Sequence, residues 1–257
     1  MQCFVSAAQN RASAVRIRAN RTSTLNKLIC SAALCCFLLF LASCGAASST
    51  QRPAVVQQNP TAHLLYVAIG ASDTFGLGAN DPRTENWAAD LARELGTGTR
   101  LINLGIPGIT LHQALNLELP VALDTHPNLI TIWLAVNDIG DYVTPDSYAR
   151  DLETLLNRLQ SADPRARIAI ANAPDLHLLP YFEERYDPNY ITSQIQAYNA
   201  IIAAAAIRHH ILLIDLYSQR QTMIEHPEYI SGDGFHPSTI GYQQIADQFY
   251  QTLRQAP

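Results

Sequence analysis

The sequence predicts a three-layer α/β domain, with a central sheet of five parallel strands covered by helices on both faces. From His63 onward, short apolar runs alternate five times with segments whose apolar residues recur at helical spacing, the pattern of strand–crossover–strand units. The apolar runs are continuous and do not alternate with polar residues, as expected of strands buried on both sides. With 48% apolar and 15% charged residues in a chain of 257, there is material for a sizeable core, and a single domain accounts for the length.

Leu64–Ile69 is the first strand, an apolar run that stops at Gly70. Asn86–Leu95 carries apolar residues at helical spacing, and Arg100–Leu104 is the second strand. Leu111–Leu123 reads as one helix with Pro120 near its end. Leu129–Leu134 is the third strand. Pro145–Leu159 is a helix with Thr144 as its cap and Pro145 at the first helical position. Arg167–Ala171, the helix Ile191–Arg208, the strand Ile211–Asp215 and the helix Ser238–Leu253 complete the series. Strand order cannot be read from this pattern. In such sheets, binding and chemistry gather after the carboxyl ends of the strands.

The region before the domain has a different character. Residues 1–43 carry Arg11, Arg16, Arg18, Arg21 and Lys27 and no acid, so the remainder holds all 22 Asp and Glu against 12 Arg. A body this acidic repels phosphate backbones, which argues against nucleic acid as a partner. The apolar run Leu28–Leu41 is shorter than the roughly 20 residues of a bilayer-spanning helix and is followed by small residues. Leu41-Ala42-Ser43-Cys44 resembles the bacterial lipobox, in which the cysteine is acylated and becomes the mature N-terminus. The expected organisation is a lipoprotein signal over 1–43, a flexible tether over 44–62 and the α/β domain over 63–257. The protein would be exported and held on the extracytoplasmic side of a bacterial membrane through lipid on Cys44, or secreted if Cys44 is incidental. Cys3, Cys30, Cys35, Cys36 and Cys44 are the five cysteines, so the domain has no disulfide and no thiolate metal site.

Two loops carry the residue types of nucleophilic catalysis. After the first strand comes Gly70-Ala71-Ser72-Asp73-Thr74-Phe75-Gly76, where a serine in a tight turn can stand clear of the sheet. Taken alone, Ser72 reads better as an ordinary serine in a glycine-rich turn. It is not the Gly-x-Ser-x-Gly elbow, because Thr74 stands two residues on. Before the last helix comes Ser231-Gly232-Asp233-Gly234-Phe235-His236-Pro237. A serine needs a base to take its proton, and the base needs an acid to hold its tautomer. An Asp three residues before a His in a glycine turn can supply both, although an Asx turn leading into a helix would also use this pattern. Attack on an ester leaves a negative oxygen that requires preorganised donors. The Ser72 N–H, the Gly105 N–H in Asn103-Leu104-Gly105-Ile106-Pro107-Gly108, and the Asn137 side-chain amide after the third strand are candidates.

In this order the blocks resemble those of the SGNH, or GDSL-type, hydrolases over about residues 64–253. The resemblance implies a flavodoxin-like fold and a serine esterase that needs no cofactor and no metal. It places Ser72 as nucleophile, Asp233 and His236 as acid and base, and Ser72, Gly105 and Asn137 at the oxyanion. Ala173-Pro174-Asp175-Leu176 through Leu179-Pro180 also looks like a stretch common in the family. Two departures stand out: Gly70-Ala71-Ser72 replaces the usual Gly-Asp-Ser, and Ala135-Val136-Asn137-Asp138 replaces Gly-x-Asn-Asp. Neither removes a catalytic group. The expected partner is a small-molecule ester, with an acyltransferase and a catalytically inactive surface-anchored binding protein as alternatives. Pro180–Tyr190, rich in aromatics, is read as a pocket wall, a lid or a packed loop. His209, His210 and Asp215 are read as cap and turn residues, and Trp87 and Trp133 as core.

Overall fold

The computed structural model describes residues 64–255. The signal 1–43, Cys44 and the tether 44–62 lie outside the described residues. The elements run β1 (Leu64–Gly70), α1 (Ser72–Phe75), α2 (Trp87–Glu94), β2 (Thr99–Asn103), α3 (Leu111–Leu117), α4 (Leu119–Thr125) and β3 (Leu129–Trp133). They continue with α5 (Val136–Gly140), α6 (Pro145–Ala162), β4 (Arg167–Ala171), α7 (Pro180–Arg185), α8 (Pro188–Arg208), β5 (Leu212–Ile214), α9 (Arg220–Glu225) and α10 (Thr239–Gln255).

The five strands form one parallel sheet in the order β2-β1-β3-β4-β5. β1 pairs with both β2 and β3, with Ala68 opposite Asn103 and Gly70 opposite Trp133. The chain thus leaves β1 toward one edge and returns to β3 on the other side, so the winding reverses at the β1/β3 junction. That crevice, at the carboxyl ends of the strands, is where ligands bind in open α/β sheets. Right-handed crossovers put α2 on one face and α3, α4, α6 and α8 on the other, because the direction of travel changes there.

Successive strand residues point to opposite faces, and both faces are covered. Tyr66, Ala68 and Trp133 join Trp87, Tyr242 and Phe249 on the α2/α10 face, where Trp87 stacks on Phe249 at 4.3 Å. Val67, Ile69, Ile130 and Ile132 join Leu152, Tyr148, Ile195 and Tyr198 on the other. Both tryptophans are core, as their sequence settings suggest.

Helix starts follow local chemistry. Thr144 accepts from the Ser147 N–H ahead of Pro145. Asp187 accepts from the Asn189 and Tyr190 N–H groups ahead of Pro188, so α8 begins three residues earlier than its apolar pattern suggests. The expected single helix Leu111–Leu123 is two helices. Pro120 has no N–H to continue α3, and its ring crowds the preceding turn. The chain breaks at Glu118, and α4 restarts with Pro120 in its first turn.

Candidate active site

β1 delivers Ser72 to the switch point. A Cβ on Gly70 would fall 2.0 Å from Thr74 Oγ1 and 2.9 Å from the Trp133 carbonyl, so only glycine lets the chain turn here. α1 is a single turn, closed by Gly76 at φ 106°, whose N–H donates to the Ser72 carbonyl at 2.9 Å. Ser72 is buried. As the first residue of a helix it has no intrahelical acceptor for its N–H.

The last loop meets it from the opposite end of the chain. Ile230 and Pro237 pair as an isolated antiparallel bridge, the Ser231 N–H donates to the His236 carbonyl at 2.8 Å, and Gly234 turns at φ 70°. This pinch aims three donors at one Asp233 oxygen: Oδ1 accepts from Ser231 Oγ and from the Phe235 and His236 N–H groups at 2.8–2.9 Å. Asp233 Oδ2 lies 2.6 Å from His236 Nδ1, and His236 Nε2 lies 2.8 Å from Ser72 Oγ. Burial pushes the Asp233 carboxyl up, but the donors from His236, Phe235 and Ser231 outweigh it and hold the group at about 2. An ionised Asp233 accepts a hydrogen bond from Nδ1–H and leaves the Nε2 lone pair facing the serine hydroxyl.

Asn137 sits in the first turn of α5, half-buried, and its Nδ2 donates to the Ile109 carbonyl at 2.9 Å. α5 is held from several sides. Tyr186 and Tyr190 donate to the Gly140 and Ile139 carbonyls at 3.2 and 2.8 Å, and buried Asp138 accepts from the Leu111 N–H at 3.0 Å.

Gly105 is placed differently from the expectation. Its N–H donates to Asn103 Oδ1 at 2.9 Å and so is not free for an incoming oxygen. A Cβ there would lie 2.4 Å from the Phe75 nitrogen, and Asn103 Nδ2 donates to the Thr74 carbonyl at 2.6 Å. Gly105 and Asn103 therefore clasp α1 from below.

The free amide in this loop is that of Gly108. Ile106-Pro107-Gly108-Ile109 is a turn closed by Ile109 N–H to the Ile106 carbonyl at 3.2 Å, with Gly108 at φ 77°. Proline then glycine in the middle of such a turn is the signature of type II, in which the glycine N–H has no partner within the turn. Among the described residues nothing accepts it, and no atom beyond its chain neighbours lies within 4 Å of where a Gly108 Cβ would stand. Pro107-Gly108 was the sequence signal that could have singled it out. The turn lies next to Ile109, the residue held by Asn137, and Ile106 N–H donates to the Gly70 carbonyl at 3.0 Å.

Pro180–Tyr190 is helix α7 and the capped start of α8, not an irregular loop. Its aromatics pack toward His236: Tyr181 stacks on Phe235 at 4.9 Å, Phe182 meets Phe235 at 5.6 Å, and Phe235 lies 4.4 Å from the His236 ring. His209 pairs with Glu153 and Gln160, and Asp215 accepts from the Asn172 side chain and the Ser218 N–H. Both are structural.

Glu118 escaped the sequence reading, being one acid in an otherwise apolar Leu117–Leu119 stretch. The break between α3 and α4 swings it under the Ser72 turn, where Oε1 accepts the Gly70 N–H at 3.0 Å while Oε2 has no partner among the described residues. Burial pushes this carboxyl up to about 8, helped by the charge of Asp73 and opposed by the Gly70 bond. The folded chain thus keeps a proton that the unfolded chain releases above the ordinary value of 4.5. Stability is fully present below that value and declines as pH rises through about 8. Glu118→Gln is expected to show a smaller fall in Tm than the native protein across this window. Identical slopes would mean that Glu118 is not held neutral.

A sequence model of the GDSL-like lipase/acylhydrolase family matches residues 68–244. Among solved structures, a GDSL-like lipase candidate from Parabacteroides merdae aligns with a TM-score of 0.64 at 18% identity, covering 75% of this chain and 96% of that one. A psychrotrophic esterase from a Pseudoalteromonas species, solved with monoethylphosphonate as inhibitor, aligns with a TM-score of 0.60 at 19% identity, covering 75% and 97%. A lipase/acylhydrolase from Enterococcus faecalis gives 0.60 at 18% identity, covering 75% and 96%. At these identities the likeness is one of fold. No match was found among curated protein sequences.

Proposed function

The chain belongs to the GDSL-like lipase/acylhydrolase family, and on that premise we propose that this hydrolase cleaves carboxylic esters through Ser72, His236 and Asp233. The observation that carries the reading is the continuous hydrogen-bonded line from Ser72 Oγ through His236 to Asp233, at 2.8 and 2.6 Å. In this mechanism Ser72 Oγ attacks the ester carbonyl as His236 Nε2 takes its proton. Asp233 fixes the tautomer and stabilises the imidazolium. The negative oxygen is received by the Ser72 N–H, the second Asn137 amide proton and, in place of Gly105, the Gly108 N–H. His236 then returns the proton to the leaving alcohol. Water repeats the sequence on the acyl-enzyme and releases the acid.

The test is a serine-reactive fluorophosphonate. One equivalent should label the protein on Ser72, and the same protein should hydrolyse p-nitrophenyl acetate. A folded protein that takes no label and cleaves no ester from acetate to dodecanoate would sink the proposal.

A further inference from the structure

An apolar cavity of about 90 Å³ lies beside the triad, on the α10 face of the sheet. It is bordered by Trp133 at the end of β3, the loops after β3, β4 and β5, α9, the Tyr229–Pro237 segment and α10. Leu179, Leu216, Met223, Ile230, Phe235 and Ile245 supply its aliphatic and aromatic lining. Ser72 itself is not part of the wall, but three residues flanking the reacting atoms are. Asp73 follows the nucleophile in the chain, Val136 precedes Asn137, and His236 is the base itself. The only charge-bearing side-chain types in the lining are therefore Asp73 and His236, at the end nearest the chemistry.

Resting on the esterase reading, we infer that this cavity is the acyl subsite, and that it seats one unbranched aliphatic chain on the order of six carbons, the scale of guest an apolar cavity of this order holds. The volume far exceeds the ~10–15 Å³ a single water needs. At about 90 Å³ it has room for one chain inside, and the further chains of a long glyceride would have to lie outside it. An apolar wall gives an aliphatic chain its driving force, about fourfold in kcat/KM for each methylene buried. Burial also pushes the Asp73 carboxyl up to about 7, against hydrogen bonds from Thr74 and nearby backbone, so below that value Asp73 presents no charge to the chain.

The subsite can be tested with p-nitrophenyl esters from acetate to dodecanoate. In the native protein kcat/KM should climb by about fourfold per methylene toward hexanoate and then level off or fall. Ile245→Trp fills the cavity from α10, and Met223→Trp fills it from α9. Each should lower the hexanoate-to-acetate ratio of kcat/KM by tenfold or more. Both esters are measured on one preparation, so loss of folded protein cancels from the ratio. An unchanged ratio in both variants, or a native protein that hydrolyses acetate with no rise toward hexanoate, overturns the subsite and leaves the esterase reading standing. A native protein that cleaves no ester and takes no phosphonate label overturns both.

Discussion

Ser72→Ala is expected to lower kcat on a short ester by about a thousandfold or more, with His236→Ala falling by a comparable factor. The two residues act as one unit. Without Oγ, the imidazole at 2.8 Å has no nucleophile to deprotonate, and without the imidazole the hydroxyl is a poor nucleophile at neutral pH. The residual rate would come from the oxyanion donors and from binding alone. Ser72 is buried but contributes one side-chain oxygen whose partner is the base, so the fold should survive the change. Near-normal turnover by a folded Ser72→Ala protein would remove the mechanism. A thousandfold loss together with a collapsed melting transition would say nothing of chemistry, so kcat and Tm must come from the same sample.

Asn137→Ala should cost about a hundred- to a thousandfold in kcat with KM little changed. The oxyanion bears its charge only once attack has begun, so a donor aimed there stabilises the transition state more than the bound substrate. The geometry gives the side chain a second duty. One Nδ2 proton holds the Ile109 carbonyl at 2.9 Å, at the edge of the turn that displays the Gly108 N–H. Removing Asn137 would thus delete one donor and loosen the mounting of another. If the amide serves only that structural bond, the variant should lose stability, by about 1 kcal/mol for one neutral hydrogen bond, while the folded fraction turns over normally. A destabilised but fully active Asn137→Ala protein would leave the oxyanion to Ser72 and Gly108.

What the sequence makes legible follows from what is local. Buried parallel strands are continuous apolar runs, so β1, β3 and β4 fall within a residue or so of their expected bounds. The pairing order is not local: nothing in the pattern of β1 says that it sits between β2 and β3. The Asp233–His236 spacing lies in one turn and is readable as a pair. Which amide faces the cleft depends on hydrogen bonds from elsewhere. Pro107 marks Gly108 as a type II turn position, but that the Gly105 N–H is already occupied shows only in the folded chain, where the Asn103 side chain accepts it. Glu118 is harder still. Its partner, the Gly70 N–H, is 48 residues away, and it arrives there through a helix break whose only trace is Pro120.

The contact between Ser72 and His236 joins residues 164 positions apart in the chain. In time, that separation is a delay. At about 5–20 residues per second of synthesis, on the order of ten to thirty seconds pass between the appearance of the serine and that of its base. All five strands, ending at Ile214, are made before the loop that carries Asp233 and His236. On the proposed mechanism, a nascent chain can therefore complete its sheet while Ser72 still lacks its base.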